Sequence, residues 1–226
     1  MGNTSIQESP FHIPEIRHRV SRFVSVKDAI SCVRVSKDWS RDFISPIWYS
    51  VNFKTQNAFE KLGADVIAKH GHHIRVVEDL ETQSQLDALH HPSVSKIKYL
   101  SLTCQKNARF RSLCMDFIGN NNRSLMGLTV EMIAHPKDDL SSRMISTAAL
   151  IPRSSPSKLS YIRLRHVCLS RDSFVLLLKY CPLLKSVDLQ VDVALFSGVT
   201  PDIFKHTGVT TLTAPIKQVF KPDPES

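Results

Sequence analysis

Glycine is scarce in this chain: 7 residues in 226, about half the ~7% typical of proteins. Phosphate-cradling loops and dinucleotide turns need glycine where the backbone must approach the ligand closely. Neither G-x-G-x-x-G nor G-x-x-x-x-G-K-[ST] occurs, and G-x-S-x-G is also missing. A Rossmann enzyme, a P-loop NTPase and an α/β-hydrolase are therefore excluded as readings. The five cysteines, Cys32, Cys104, Cys114, Cys168 and Cys181, are odd in number, and no two stand as C-x-x-C. They read as free thiols of a reducing compartment. The polar start MGNTSIQESP contains no apolar signal core. The longest strongly apolar stretch, Phe174 to Leu178, falls far short of the ~18 residues a bilayer requires. A membrane is not expected as a partner, and the expected location is cytoplasmic, nuclear or both.

The formal charge is +8, from 29 Lys+Arg against 21 Asp+Glu. The basic residues are scattered, with no long block and no interleaving of Arg/Lys with aromatics, so nucleic acid is not expected as a partner. Hydrophobic residues make up 42% of the chain, enough for a sizeable core without disulfides or metals.

Residues 11–50 carry three short helical patterns. Pro14 suits a first helical turn, and Ile13, Ile16, Val20, Phe23 and Val24 follow on one helical face. Ser25-x-x-Asp28 is a capping pattern that opens a second helix with Val26, Ala29, Ile30 and Val33 on one side. A third carries Val35, Trp39 and Phe43, and Pro46 is expected to end it. Some 40 residues cannot enclose a large core. Several of these apolar residues should therefore stay exposed until a partner covers them.

This segment resembles an F-box. Ile13-Pro14-Glu15-Ile16 fits the family's opening, Phe23-Val24 its apolar helix end and Lys27-Asp28-Ala29 its polar turn. Val35-Ser36-Lys37-Asp38-Trp39 fits its Val-[Cys/Ser]-[Lys/Arg]-x-Trp signature, and Trp48 matches its late tryptophan. Ala29 stands where the family usually has Leu, and Arg17, His18 and Arg19 make the first helix unusually basic. The resemblance implies docking on a Skp-type adaptor, and through it on a cullin, with Ile13, Pro14, Ile16, Val20, Val35 and Trp39 at the interface.

Residues 51–73 read as a linking strand and helix, the helix marked by Ala58, Leu62, Val66 and Ile67. Over 74–215 an apolar-x-x-apolar-x-apolar motif recurs. Its clear copies begin at Ile97, Leu125, Leu159 and Leu184, with a weaker one at Val209. A degenerate copy, Ile74-x-x-Val77, has Asp79 in the third apolar position. The second apolar positions, Val77, Leu100, Leu128, Ile162, Val187 and Leu212, are spaced by 23, 28, 34, 25 and 25. A strand motif at such intervals, with helical patterns between copies, marks leucine-rich repeats. Phe110, Leu113, Phe117 and Ile118 form one helical pattern, with Gly119 as its expected stop, and Phe174 to Cys181 form another. The region resembles the repeats that follow F-boxes in many proteins. The expected class is α/β: a three-helix F-box, then a curved solenoid of parallel strands with helices outside, and a polar tail over 216–226.

Side chains alternate across a strand. With the apolar residues turned inward, their neighbours line an open concave sheet. Tyr99, Ser101, Thr129, Glu131, Tyr161, Arg163, Arg165, Asp188 and Gln190 are the expected substrate-binding residues there. The two arginines suit an acidic or phosphorylated ligand.

Catalytic chemistry is not expected. His70-Gly71-His72-His73 and His90-His91 have no nearby Cys or carboxylate set to complete a metal site, so no metal and no cofactor is expected. The F-box resemblance implies a substrate-recognition adaptor of a Skp–cullin–F-box ubiquitin ligase, acting by proximity. The alternative is a protein- or nucleic-acid-binding repeat module with a vestigial F-box.

Overall fold

A computed structural model describes residues 10–56, 58–104, 107–133, 157–167, 177–191 and 211–213. The chain divides into two compact units between Ser50 and Val51.

The first unit is helical: α1 (Pro14–Ser21), α2 (Val26–Cys32) and α3 (Lys37–Trp48), preceded by one 3-10 turn at Pro10–His12. The capping chemistry is local. Ser25 Oγ accepts from the Asp28 amide at the start of α2, and Ser36 Oγ accepts from the Trp39 amide at the start of α3. Pro46 lies inside α3 and does not end it. Proline here donates no bond to the preceding turn and its ring crowds the carbonyl four residues back, yet the helix runs on through Trp48. Phe43 and Ala29 are fully buried at the centre of the unit, and Trp39 stacks on Phe43 with ring centroids 5.1 Å apart. Val35 precedes α3 and is exposed, rather than sharing a helical face with Trp39 and Phe43.

The second unit is α/β. Its sheet has seven strands in sequence order: β1 (Ser50–Asn52), β2 (Val76–Leu80), β3 (Tyr99–Cys104), β4 (Gly127–Met132), β5 (Tyr161–Val167), β6 (Ser186–Val191) and β7 (Thr211–Thr213). From β2 to β7 every pairing is parallel. Between strands lie α4 (Ala64–His70), α5 (Gln83–Leu89) and α6 (Ala108–Asn121), and residues 177–180 are helical.

The second apolar positions stand side by side in register: Val77, Leu100, Leu128, Ile162, Val187 and Leu212. The entries to β3, β4, β5 and β6 are built the same way. The carbonyls of Arg75, Lys98, Met126 and Ser160 each accept two amides from the next strand's entry: Lys98 and Tyr99, Met126 and Gly127, Ser160 and Tyr161, Lys185 and Ser186. Asn121 reinforces one such step. Fully buried, it accepts from the Ile97 amide and donates to the Phe117 carbonyl.

Three expectations need correction here. Asp79 does not occupy the third apolar position of the first copy. It takes a left-handed conformation (φ 55°) at a bulge, and Leu80 pairs with Leu102 in its place. One inserted residue is absorbed this way without turning the strand over. His166 (φ 52°) does the same in β5, so that Val167 meets Val191. Gly119 lies within α6, which continues to Asn121, and Leu113 is only half-buried; Phe110, Cys114, Phe117 and Ile118 fill the buried face. The expected helix over 58–67 is split into a 3-10 turn at Phe59–Lys61 and α4, with Phe59 and Ile67 buried. Phe174, Val175, the expected tail and the side chains of β7 lie outside the described residues.

His73, at the 3-10 turn leading into β2, couples this unit to pH. Burial, helped by the neighbouring His72, His70 and Arg75, holds its imidazole down at about 4. An ordinary histidine titrates near 6.5, so the unfolded chain takes up the proton first. Stability is full above about pH 6.5 and falls as pH drops toward 4. The ring is partly solvated, so screening limits the loss to on the order of 1 kcal/mol. Urea midpoints at pH 7.5 and 5 measure it, and His73→Gln should flatten the difference.

Candidate functional site

Among the described residues no helix is long and apolar enough to cross a membrane, and no His/Cys/Asp/Glu group is arranged to hold a metal. The His72 and His73 rings lie 3.9 Å apart, and His91 is engaged with the Ser93 hydroxyl. Cys104, Cys114 and Cys181 are buried and Cys32 is half-buried, and none of the four is in a disulfide. Burial pushes the Cys181 thiol up to about 11, and a thiol–thiol hydrogen bond with Cys104, with burial, raises that of Cys114. Such thiols are poor nucleophiles at neutral pH. Cys168 lies outside the described residues. Two surfaces remain to be weighed.

The first belongs to the helical unit. In α1 the buried residues are Arg17 and Ser21; of the apolar stripe, Ile13 and Phe23 are exposed and Ile16, Val20 and Val24 half-buried. Arg17 is 4% exposed; its Nε donates to Asp42 at 2.6 Å, and its Nη1 donates to the carbonyls of Phe11 and His12. It is thus a bracket tying the N-terminal turn and α1 to α3, and not part of a basic surface. The Arg17–Asp42 pair takes up interior space beside Phe43 and Ala29, and several large apolar residues stay on the outside. Phe23 is 84% exposed, Val35 62%, Ile13 and Val26 48%, Phe11 43% and Ile30 41%.

Of the residues expected at the adaptor interface, Ile13, Pro14 and Val35 are exposed, and Ile16, Val20 and Trp39 are half-buried. Trp39 does double duty, packing on Phe43 and within 5.7 Å of the Phe11 ring. Phe11 was missing from the sequence-based set because its neighbour Trp39 is 28 residues away in the chain. Phe23, Val26 and Ile30 were legible as apolar helix positions, but which way they face depends on Arg17.

The second surface is the open side of the sheet. The inward residues Leu100, Leu102, Leu128, Val130, Ile162, Leu164, Val187 and Leu189 are buried. Their neighbours form rows across the strands. Tyr99, Gly127, Tyr161 and Ser186 make one row, and Ser101, Thr129, Arg163 and Asp188 the next. Thr103, Glu131, Arg165 and Gln190 make the third. Apart from Gly127, those with described side chains are exposed or half-buried. The side chain of Gln190 lies outside the described residues.

Gly127 is covered by its two tyrosine neighbours. A Cβ there would stand 2.5 Å from Tyr99 Cδ1 and 3.5 Å from Tyr161 Cδ1, so the missing side chain lets both rings lean over β4. The charges of the face are matched internally. Arg163 Nε donates to Asp188 Oδ2 at 2.7 Å, and its guanidinium lies 5.8 Å from the centre of the Tyr161 ring. Arg165 stands 4.0 Å from Glu131. The two arginines therefore reach in opposite directions, toward β6 and toward β4. They do not converge as a phosphate clamp would. The face offers hydroxyls, two tyrosine rings and neutralised charge.

No protein-family model matches the chain, and no curated protein is significantly similar to it.

Proposed function

We propose that this chain is a non-catalytic substrate-recognition adaptor of a Skp–cullin–F-box ubiquitin ligase. Residues 11–50 act as an F-box and dock on a Skp-type adaptor. The second unit is a leucine-rich-repeat solenoid whose open sheet face holds a protein substrate. The ligase chemistry belongs to the other subunits, and this chain contributes effective concentration.

One observation carries the reading. A 40-residue helical unit buries an arginine and turns six large apolar side chains to solvent. A free-standing domain has no use for that arrangement, whereas a docking module does. The solenoid reading is supported by strands in sequence order, by in-register apolar positions and by the repeated two-amide strand entry. The paired charges of the sheet face weigh against nucleic acid, which requires uncompensated cations.

The test is a mixture of the full chain with a recombinant Skp-type adaptor on gel filtration. A single co-eluting complex is expected. Two separate peaks from well-folded partners would sink the reading.

A further inference from the structure

We propose that a cavity on the helix side of the sheet unit binds a small uncharged molecule, one with a ring-sized apolar body and hydrogen-bonding groups on its edge. The described lining includes none of the open-face residues, and occupancy requires no Skp-type partner.

The cavity follows from unequal return helices. α5 has seven residues and α6 fourteen, so they span ~10 Å and ~21 Å. Each leads from the end of one strand back toward the entry of the next. α6 covers the distance in full, and Asn121 in its last turn accepts from the Ile97 amide at the entry to β3. α5 stops at Leu89, and residues 90–98 finish the return without a helix. The end of α6 therefore has a loop beside it, and the space left between them is about 350 Å³. That is the low end of the ~300–1,000 Å³ of small-molecule sites.

The lining has two layers. Leu89, Val94 and Phe117 are buried at its base; His90, Ser95 and Asn120 are exposed at its rim, and His91 is half-buried there. Among the described residues no Lys, Arg, Asp or Glu lines it, so an ion entering would shed water without meeting a counter-charge. The rim is still able to hydrogen-bond. The side chains of His90, Ser95 and Asn120 have no partner among the described residues. The Ser93 amide donates to His91 Nδ1 at 3.1 Å, which leaves the neutral ring with its proton on Nε2 as a donor. An apolar base under a few convergent polar groups is the composition of a small-molecule site.

Other occupants fit less well. Among the described residues no third ligand joins the two histidines to hold a metal. A partner's helix or strand is read along an extended groove or a sheet edge, not in a single cavity of this volume.

The experiment records amide spectra of the ¹⁵N-labelled full chain with benzamide, a ring bearing an uncharged donor and acceptor. Its charged isosteres benzoate and benzamidine are the controls. Benzamide should shift the amides of Leu89, Val94, Phe117 and Asn120, with a Kd on the order of 1 mM for so small a ligand. Benzoate and benzamidine should bind at least ~10-fold more weakly. Asn120→Trp fills the mouth from an exposed helix position and should abolish the shifts while the rest of the spectrum is retained. Ser112→Trp, exposed on α6 but outside the lining, should keep them. Shifts that persist in a folded Asn120→Trp, equal binding of the three isosteres, or no shifts at ~10 mM benzamide would each overturn the inference. N-acetyl-tyrosinamide carries a ring and amides on a peptide backbone. If it bound ~10-fold tighter than benzamide, the cavity would belong to a partner's side chain and the inference would fall.

Discussion

Arg17→Ala should unfold the helical unit at room temperature. The substitution leaves Asp42, only 12% exposed, without its partner, and frees the Phe11 and His12 carbonyls. Breaking a buried pair by removing one member costs about 3–5 kcal/mol. A core of this size rarely supplies more than about 3–5 kcal/mol in total. Both tryptophans of the chain, Trp39 and Trp48, lie in this unit, so their fluorescence reports it selectively in urea. The variant should show no tryptophan transition, while circular dichroism still records the sheet unit unfolding. Arg17→Met/Asp42→Leu removes both charges and replaces them with apolar bulk, which is often neutral or stabilising; it should recover most of the parent transition. A change below about 0.5 kcal/mol for Arg17→Ala would place the pair in the class of surface salt bridges and undo the account of why large apolar residues such as Phe23 and Ile13 stay exposed.

Leu128→Ala should cost the sheet unit about 3 kcal/mol, within the 2–5 kcal/mol range of buried leucine truncations. Leu128 is fully buried at the middle of the sheet, flanked in register by Leu100 and Ile162. Thr129, one residue on, faces the open side opposite Ser101 and Arg163. Thr129→Ala should therefore stay within about 0.5 kcal/mol. Urea midpoints by far-UV circular dichroism compare the two. Equal costs would mean that both faces of β4 are buried, and the sheet would then have no free surface for a substrate.

The strands were legible because period-2 alternation and the recurring motif agree. Where Leu100, Leu128, Ile162 and Val187 were expected to align, they do. The bulges at Asp79 and His166 were not legible, because an inserted residue and a polar residue in a core position look the same in a sequence. The α1 stripe was legible as apolar and, from the shortness of the unit, as partly exposed. The burial of Arg17 was not, since its partner Asp42 lies 25 residues away and the arginine sits among other basic residues. On the sheet face, the residues could be named from alternation alone. Alternation and strand order also put Glu131 and Asp188 on either side of Arg163 and Arg165; which arginine meets which carboxylate could not be read, because that depends on side-chain direction across the strands.

The proposed division of labour between the two units is tested most directly by measuring Kd for a Skp-type adaptor with two matched variants. Ile13→Asp/Val35→Asp places carboxylates in the exposed apolar array. Ser101→Asp/Thr129→Asp places them on the open sheet face. At ~2 kcal/mol or more per anchor, the first should weaken binding on the order of 10³-fold with the tryptophan transition retained. The second should leave Kd unchanged. Binding that survives the first pair and is lost with the second would contradict the account.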